Sequence, residues 1–417
     1  MTTPLANSLR DALVQRARAQ WIALGVDAVG AAESSVVDPE ALIALTAEIG
    51  EADARLRDTS TDWCVAYGRF VNGTRLRQVV AEIGVSEGAI GEYASTVASA
   101  GGPSWRQVGR AREGYRYRGK ARLEDLEGLP RLLLRLRAIF GVNARADVLS
   151  VLLARPDSSV SLADLARSTR FTKRNVALTV NALALGGVVT VERVGNQQRV
   201  GLDPNVVRGW LPAPIERIDW IDRYLVALEA LRFLERSDRI SGSVRAIEAN
   251  VLSMRLAPLL RREGLPAPDG RVRGEAFSAA FDRWVARLIL RFAFEPSERQ
   301  KLQAIAAFLE FEPDSAEMAR LTGMRPSSLR NLLGQPRRRL PEPVHDHLDV
   351  LASFTDEAAG FLSRMTGWDY PAGSRSMRDW LTDGTIRTKR GRARPIEALS
   401  NPSLAILALE ELRRGSA

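Results

Sequence analysis

Three adjacent residues, Lys173, Arg174 and Asn175, with Thr179 one helical turn beyond, are the set in this sequence best suited to reading a nucleic acid. Arginine pairs in bidentate fashion with guanine and asparagine with adenine, each good pair discriminating by roughly 1–3 kcal/mol. That chemistry needs the side chains at the start of a helix lying in the major groove. Thr172 stands in front of them as an N-cap. Downstream, Arg193, Asn196, Gln197, Gln198 and Arg199 surround a Gly195-Asn196 turn and suit phosphates or a minor groove.

The flanking sequence predicts the elements that would hold these residues. "ARADVLSVLLARP" places Val148, Leu149 and Leu152 at core spacing for a first helix. Ser161 and Asp164 form a capping arrangement for the short helix "SLADLARST". In "KRNVALTVNALALGG", Val176, Val180 and Leu183 make an inward stripe, and Gly186 and Gly187 end the helix. "VVTVERV" and "QQRVGL" then alternate on either side of Gly-Asn, a hairpin signal. Helix, helix-turn-helix, hairpin is the winged-helix order over 145–202, and it resembles the winged domains of bacterial transcriptional regulators of the MarR and ArsR type. The resemblance implies double-stranded DNA as partner; a winged helix used for protein contact would keep the same core.

Charge points to the same part of the chain. Residues 1–100 carry net −5, residues 101–212 net +10 and residues 213–417 net +4, within an overall +9. Clustered positive charge marks a polyanion-binding surface. Arg131 and Arg135, one turn apart in "LPRLLLRLRAIFG", are further candidates for phosphate contact or for a solvated face. "WRQVGRAREGYRYRGKAR" interleaves Trp105, Tyr115 and Tyr117 with six arginines and Lys120, a pattern that stacks on nucleic acid or forms an exposed edge strand. Arginine outnumbers lysine 55 to 4, a skew that reads as genome composition rather than function.

Catalysis is not expected. The chain has no GxSxG, P-loop, paired zinc ligands or Gly-rich dinucleotide turn, and its carboxylates show no selecting spacing. His345 and His347, beside Asp346 and Asp349, lack two further ligands, so neither metal nor cofactor is expected. The single cysteine, Cys64, excludes an internal disulfide. No apolar run approaches the roughly 20 residues of a membrane helix, and "MTTPLANSLRDALVQRARAQW" has no secretory h-region, so a cytoplasmic protein is expected.

The expected architecture is mainly α and multi-domain. Helices are predicted near 4–24, 39–50, 74–83, 86–99, 129–140, 145–154, 161–168, 172–185, 215–236, 243–262 and 275–293, with more from 297 to 414. Strands are predicted only at 114–123, 188–194 and 197–202. Boundaries divide the chain into a helical domain (1–125), the winged helix-turn-helix (126–212), a linker that oligomerises (213–300) and a C-terminal helical domain (301–417). A loose repeat relates 164–176, 317–329 and 79–90, the last shorter by one residue in its turn.

The copy at 315–333 is a second helix-turn-helix candidate, in which Ser328, Arg330 and Asn331 face DNA and Arg337, Arg338 and Arg339 reach phosphate. It leads into a long helix (344–364), "RDWL", a basic loop, "RPIEAL" and a last helix. From about 315 onward this resembles antitoxins of the Xre/MbcA/ParS group, with Trp380, Leu381, Pro395, Ile396, Glu397 and Leu399 on the family pattern. The resemblance implies operator binding as an oligomer and inhibition of a cognate toxin, typically of the RES type that consumes NAD. Trp380, Arg387, Lys389, Arg390, Pro395, Ile396 and Glu397 would then face the partner. The loop is longer and more basic than that family's, and a helical oligomerisation domain is the alternative. Function is thus expected to be that of a homodimeric DNA-binding regulator, possible antitoxin of a toxin–antitoxin pair; the other class is an interaction or sensor scaffold, as in phage defence.

Overall fold

A computed structural model describes residues 4–28, 32–106, 109–155, 158–203, 218–237, 240, 242–262, 267–268, 270–293, 385–387 and 393–395. Among these residues the protein is mainly helical with a small antiparallel sheet. The chain divides into two compact units, one of residues 14–228 with 259–265, the other of residues 1–13, 229–258 and 266–417.

The first five helices are α1 (Pro4–Ala23), α2 (Pro39–Ile49), α3 (Ala54–Tyr67), α4 (Gly73–Ile83) and α5 (Glu87–Ser99). Each of the last four starts at a side chain that accepts from the exposed first-turn amides: Asp38 from Ala41, Asp53 from Leu56, Asn72 from Thr74 and Arg75, Ser86 from Ala89. In the unit of residues 14–228, two buried indoles lock the helices together. Trp21 donates to the Thr46 hydroxyl at 2.9 Å, and Trp63 donates to the Leu24 carbonyl at 2.8 Å.

Residues 114–123 do not form the expected strand. A lone bridge joins Ala121 to Val26, and the Asp62 carboxylate of α3 accepts from the backbone of Arg118 and Lys120 in place of a ladder. Tyr115 also donates to Asp62, at 2.6 Å. Burial, and then this hydrogen bond, push the phenol pKa well above its usual range. Of the three aromatics, Trp105 is buried and Tyr115 is tied to Asp62, which leaves Tyr117 exposed.

Next come α6 (Leu132–Phe140), α7 (Ala144–Leu153), β1 (Val160–Ser161), α8 (Leu162–Thr169), α9 (Lys173–Leu185), β2 (Val189–Val194) and β3 (Gln197–Leu202). The sheet order is β1-β3-β2, antiparallel throughout, with Val160 opposite Val200, Val189 opposite Leu202 and Val194 opposite Gln197. Gly195, at φ 61°, opens the hairpin turn that the sequence predicts. One apolar core closes this region: Leu133 and Leu136 of α6, Leu149 and Leu152 of α7, Leu165 of α8, Val176, Val180 and Leu183 of α9, and Val189, Val200 and Leu202 of the sheet.

The expected boundary at 125/126 crosses a buried ionic cluster. Arg75 of α4 donates to Asp38 at 2.5 and 2.8 Å and to Glu40 at 2.5 Å. Arg137 of α6 donates to Glu40 at 2.6 and 2.9 Å, to Asp147 of α7 at 3.0 Å and to the Phe70 carbonyl. Neither guanidinium has exposed surface. Burial alone would raise the Asp38 pKa. The charge and hydrogen bonds of Arg75, with help from Arg137, overcome it and hold that carboxyl well below the usual carboxylate range.

Three further helices complete the described helical part: α10 (Trp220–Ser237), α11 (Gly242–Arg262) and α12 (Gly274–Ala293). The start of α10 belongs to the first unit, where Trp220 donates to the Val36 carbonyl and Tyr224 to Gln20. In the second unit Phe233 meets Phe281 edge-on at 5.0 Å, and Arg245 pairs with Asp282 at 2.5 Å. A correction comes from the C-terminal region: β4 (Thr385–Arg387) pairs with β5 (Ala393–Pro395), so Pro395 lies opposite Thr385 at a strand end rather than starting a helix. Among the described residues no helix is long and apolar enough to cross a membrane.

Candidate nucleic-acid interface

The first turn of α9 is presented outward by a well-made start. The Thr172 side chain accepts from the Asn175 amide, at 3.2 Å, fixing where the helix begins. Val176 and Val180 then anchor the inner face, and the residues immediately ahead of Val176 are left on the outside. Lys173, Arg174 and Asn175 are all exposed. Neither cation has an ion-pair or hydrogen-bond partner among the described residues. Such a pair of unneutralised charges at a helix start is open to an anion.

Thr179 differs from its expected role. It is buried, and its hydroxyl faces the Asn175 amide oxygen at 3.5 Å. It faces inward rather than outward, because position 179 falls beside the stripe of Val176, Val180 and Leu183. On the outer face, Leu178 is 63% exposed and Leu185 92% exposed. They follow Arg174 at four- and eleven-residue spacing and so share its side of the helix.

The hairpin sorts its residues in the same way. Asn196, Gln197 and Gln198 are exposed at the tip, and Arg193 is exposed with a single long bond, 3.4 Å, to the Gly195 carbonyl. Arg199 is turned inward. It donates to the Ser159 hydroxyl at 2.8 Å and to the Ser159 carbonyl at 2.6 Å, pinning β3 to the segment before β1. Upstream, Arg135 is exposed, whereas Arg131 donates to the Ala23 carbonyl and pairs with Asp125. Arg199 and Arg131 are therefore structural ties, and Arg193 and Arg135 are the available cations of their segments.

Two arginines that sequence reasoning did not nominate hold the turn in front of α9. Arg170 adopts φ 59°, the left-handed conformation that costs a non-glycine residue roughly 1 kcal/mol or more. Its side chain is almost fully buried among Glu82 of α4 and Asp219 and Asp222 at α10. Arg75, one layer deeper, donates its Nε to the Thr169 carbonyl at 2.9 Å. Burial and then the neighbouring Asp219 raise the Asp222 pKa, with Arg170 and Arg262 acting against that rise. The spacing did carry a signal for Arg75: it shares the inward stripe of α4 with Val79 and Ile83.

Ser328, Arg330, Asn331, Trp380, Lys389, Arg390, Ile396 and Glu397 lie outside the described residues, as do the two histidines; of Arg387 and Pro395 the backbone alone is described. Among the described residues no group of three or more His, Cys, Asp or Glu is arranged to hold a metal ion. No family model, curated protein or solved structure gives a significant match to this chain.

Proposed function

We propose that residues 132–202 are a winged helix-turn-helix and that the protein is a sequence-specific DNA-binding regulator. The observation that carries the reading is the first turn of α9, where Lys173, Arg174 and Asn175 project together from a capped start, two of them cationic and without a partner among the described residues. On this reading α9 enters the major groove by its N-terminus, Arg174 and Asn175 meet base edges, and Lys173 meets phosphate. Leu178 sits one turn behind Arg174, placed for a thymine methyl group. The β2–β3 hairpin is the wing, with Arg193 and the Asn196–Gln198 tip on the adjacent backbone.

The test is selection from a random duplex library followed by titration of the selected site. Replacing Arg174 and Asn175 with Ala is expected to lower affinity for that site about 10- to 100-fold and to flatten base preference. Equal affinity of the wild type for every duplex, or none for any, sinks the proposal.

A second reading has one observation in its favour. Leu178 and Leu185 expose apolar surface beside Arg174, and Val191 and Val194 do the same on the hairpin. An α9 face used against another protein would look like this. Separately from that face, the resemblance of the C-terminal region to antitoxins implies a toxin partner, which would contact 378–414. Deleting 378–417 is expected to abolish toxin neutralisation while duplex binding persists.

A further inference from the structure

Helix α11 is apolar on two opposite sides. Ala246, Ala249, Leu252 and Leu256 are buried. Val244, Ile247, Val251 and Met254 are between 43% and 65% exposed, and Pro258, next in the series, is exposed as well. The outer residues are spaced 3, 4, 3 and 4 apart. That is the a/d rhythm of a coiled-coil seam, with β-branched Val244 and Val251 at a, and Ile247 and Met254 at d. A globular helix with one packed side normally turns charge to water on the other. Here the charged residues flank the stripe: Glu248 and Arg255, both at the e position.

We propose that this face is a self-docking surface on which α11 helices of two copies pack antiparallel across a two-fold axis. Charge selects that occupant and that direction. In an antiparallel pair the e positions of the two helices face each other. The register that sets Val251 against Met254 of the second copy, and Ile247 against its Pro258, also sets Glu248 against its Arg255. Two-fold symmetry makes that contact twice. Shifting by one heptad brings Glu248 onto its own copy, a like-charge contact. A parallel pair instead matches g with e, which here joins Ser243 to Glu248 and Asn250 to Arg255, with no ion pair. Within the unit, Glu248 lies 3.7 Å from Arg236, and Arg255 pairs with Glu229. Both are surface pairs that can be exchanged at little cost.

The seam spans about two heptads, or roughly 20 Å at 1.5 Å per residue, below the usual area of a permanent interface. A reversible dimer in the micromolar range is expected. The proposal is independent of DNA binding, and a two-fold dimer would suit a palindromic site if that reading holds.

Sedimentation equilibrium of the full chain tests it, with circular dichroism melting as a check on folding. The wild type is expected to be a concentration-dependent dimer, and Ile247→Glu a monomer with an unchanged melt. Glu248→Arg and Arg255→Glu should each weaken the dimer about tenfold, and the double variant should regain most of the loss. A wild type that stays monomeric to 100-fold above the micromolar range overturns the proposal, as does a dimer indifferent to Ile247→Glu. Failure of the double reversal to restore association overturns the antiparallel register. If residues of the same chain covered the face, the wild type would be monomeric, which this measurement reads directly.

Discussion

Two pairs of helices, each joined by a short turn, are built alike and finished differently. In the first, α4 ends at Ile83, Gly84 takes a left-handed conformation, Val85 points inward and Ser86 caps α5. In the second, α8 ends at Thr169, Arg170 takes the left-handed conformation, Phe171 packs on the core and Thr172 caps α9. The turns have the same length, so the one-residue difference expected from the sequence is corrected. The contrast lies in the residues just past the cap. α5 opens with Glu87 and Gly88 and buries Ile90, Tyr93, Ala94 and Val97. α9 opens with two cations and an amide and leaves them outside. A shared turn thus serves as scaffold in one place and as presentation in the other, and charge at the helix start separates the two uses.

The largest expected effect breaks what both segments rest on. Arg75→Ala leaves Asp38, Glu40 and Asp147 without one of their two buried cations and removes the donor to the Thr169 carbonyl. A loss of about 3–5 kcal/mol in unfolding free energy is expected by denaturant titration. If the protein tolerates it within about 1 kcal/mol, the cluster does not anchor the second turn.

Next in size is the functional contrast itself. Lys173→Ala with Arg174→Ala should lower duplex affinity about 100-fold without moving the melting temperature, since neither residue has a partner among the described residues. Glu87→Ala, the matching change on α5, should leave affinity unaltered. Equal effects at both helix starts would erase the distinction.

Cap removal sharpens the comparison further. Ser86→Ala and Thr172→Ala should each cost about 1 kcal/mol of stability. Fluorescence anisotropy should then show weaker duplex binding for Thr172→Ala alone, because that cap sets the position of Arg174 and Asn175.

The last effect concerns pH. The folded-state pKa of Asp38 is depressed, so its contribution is present above the unfolded value and is lost as pH falls below about 4. Asp38→Asn should therefore be less stable than wild type at neutral pH, with the gap closing on acidification. A gap that widens in acid contradicts the assigned role of Asp38.

Periodicity and caps made most of the described helices, and the β2–β3 hairpin, legible in the sequence. α3 was not, because "ARLRDTSTDWCVAY" lacks an apolar stripe. Thr59, Ser60 and Thr61 instead return their hydroxyls to the carbonyls of Arg55 and Arg57, which lets polar residues fill a helix. Residues 114–123 misled in the opposite direction. Their Tyr/Arg alternation fits a strand, but one carboxylate, Asp62, takes the backbone donors that a neighbouring strand would have used. In the candidate interface, Lys173, Arg174 and Asn175 stood out by type and position. The division between Arg193, exposed at the hairpin, and Arg199, tied to Ser159, depends on tertiary neighbours that no local pattern encodes.

If the start of α9 meets DNA through Lys173 and Arg174, which have no partner among the described residues, the salt dependence of duplex binding reads that contact directly. The logarithm of the binding constant should fall linearly with the logarithm of salt concentration for the wild type. The slope should become shallower by about 0.9 for each phosphate contact removed in Lys173→Ala and Arg174→Ala. A slope unchanged by both substitutions, or no duplex binding at any salt concentration, would mean that the start of α9 makes no phosphate contact.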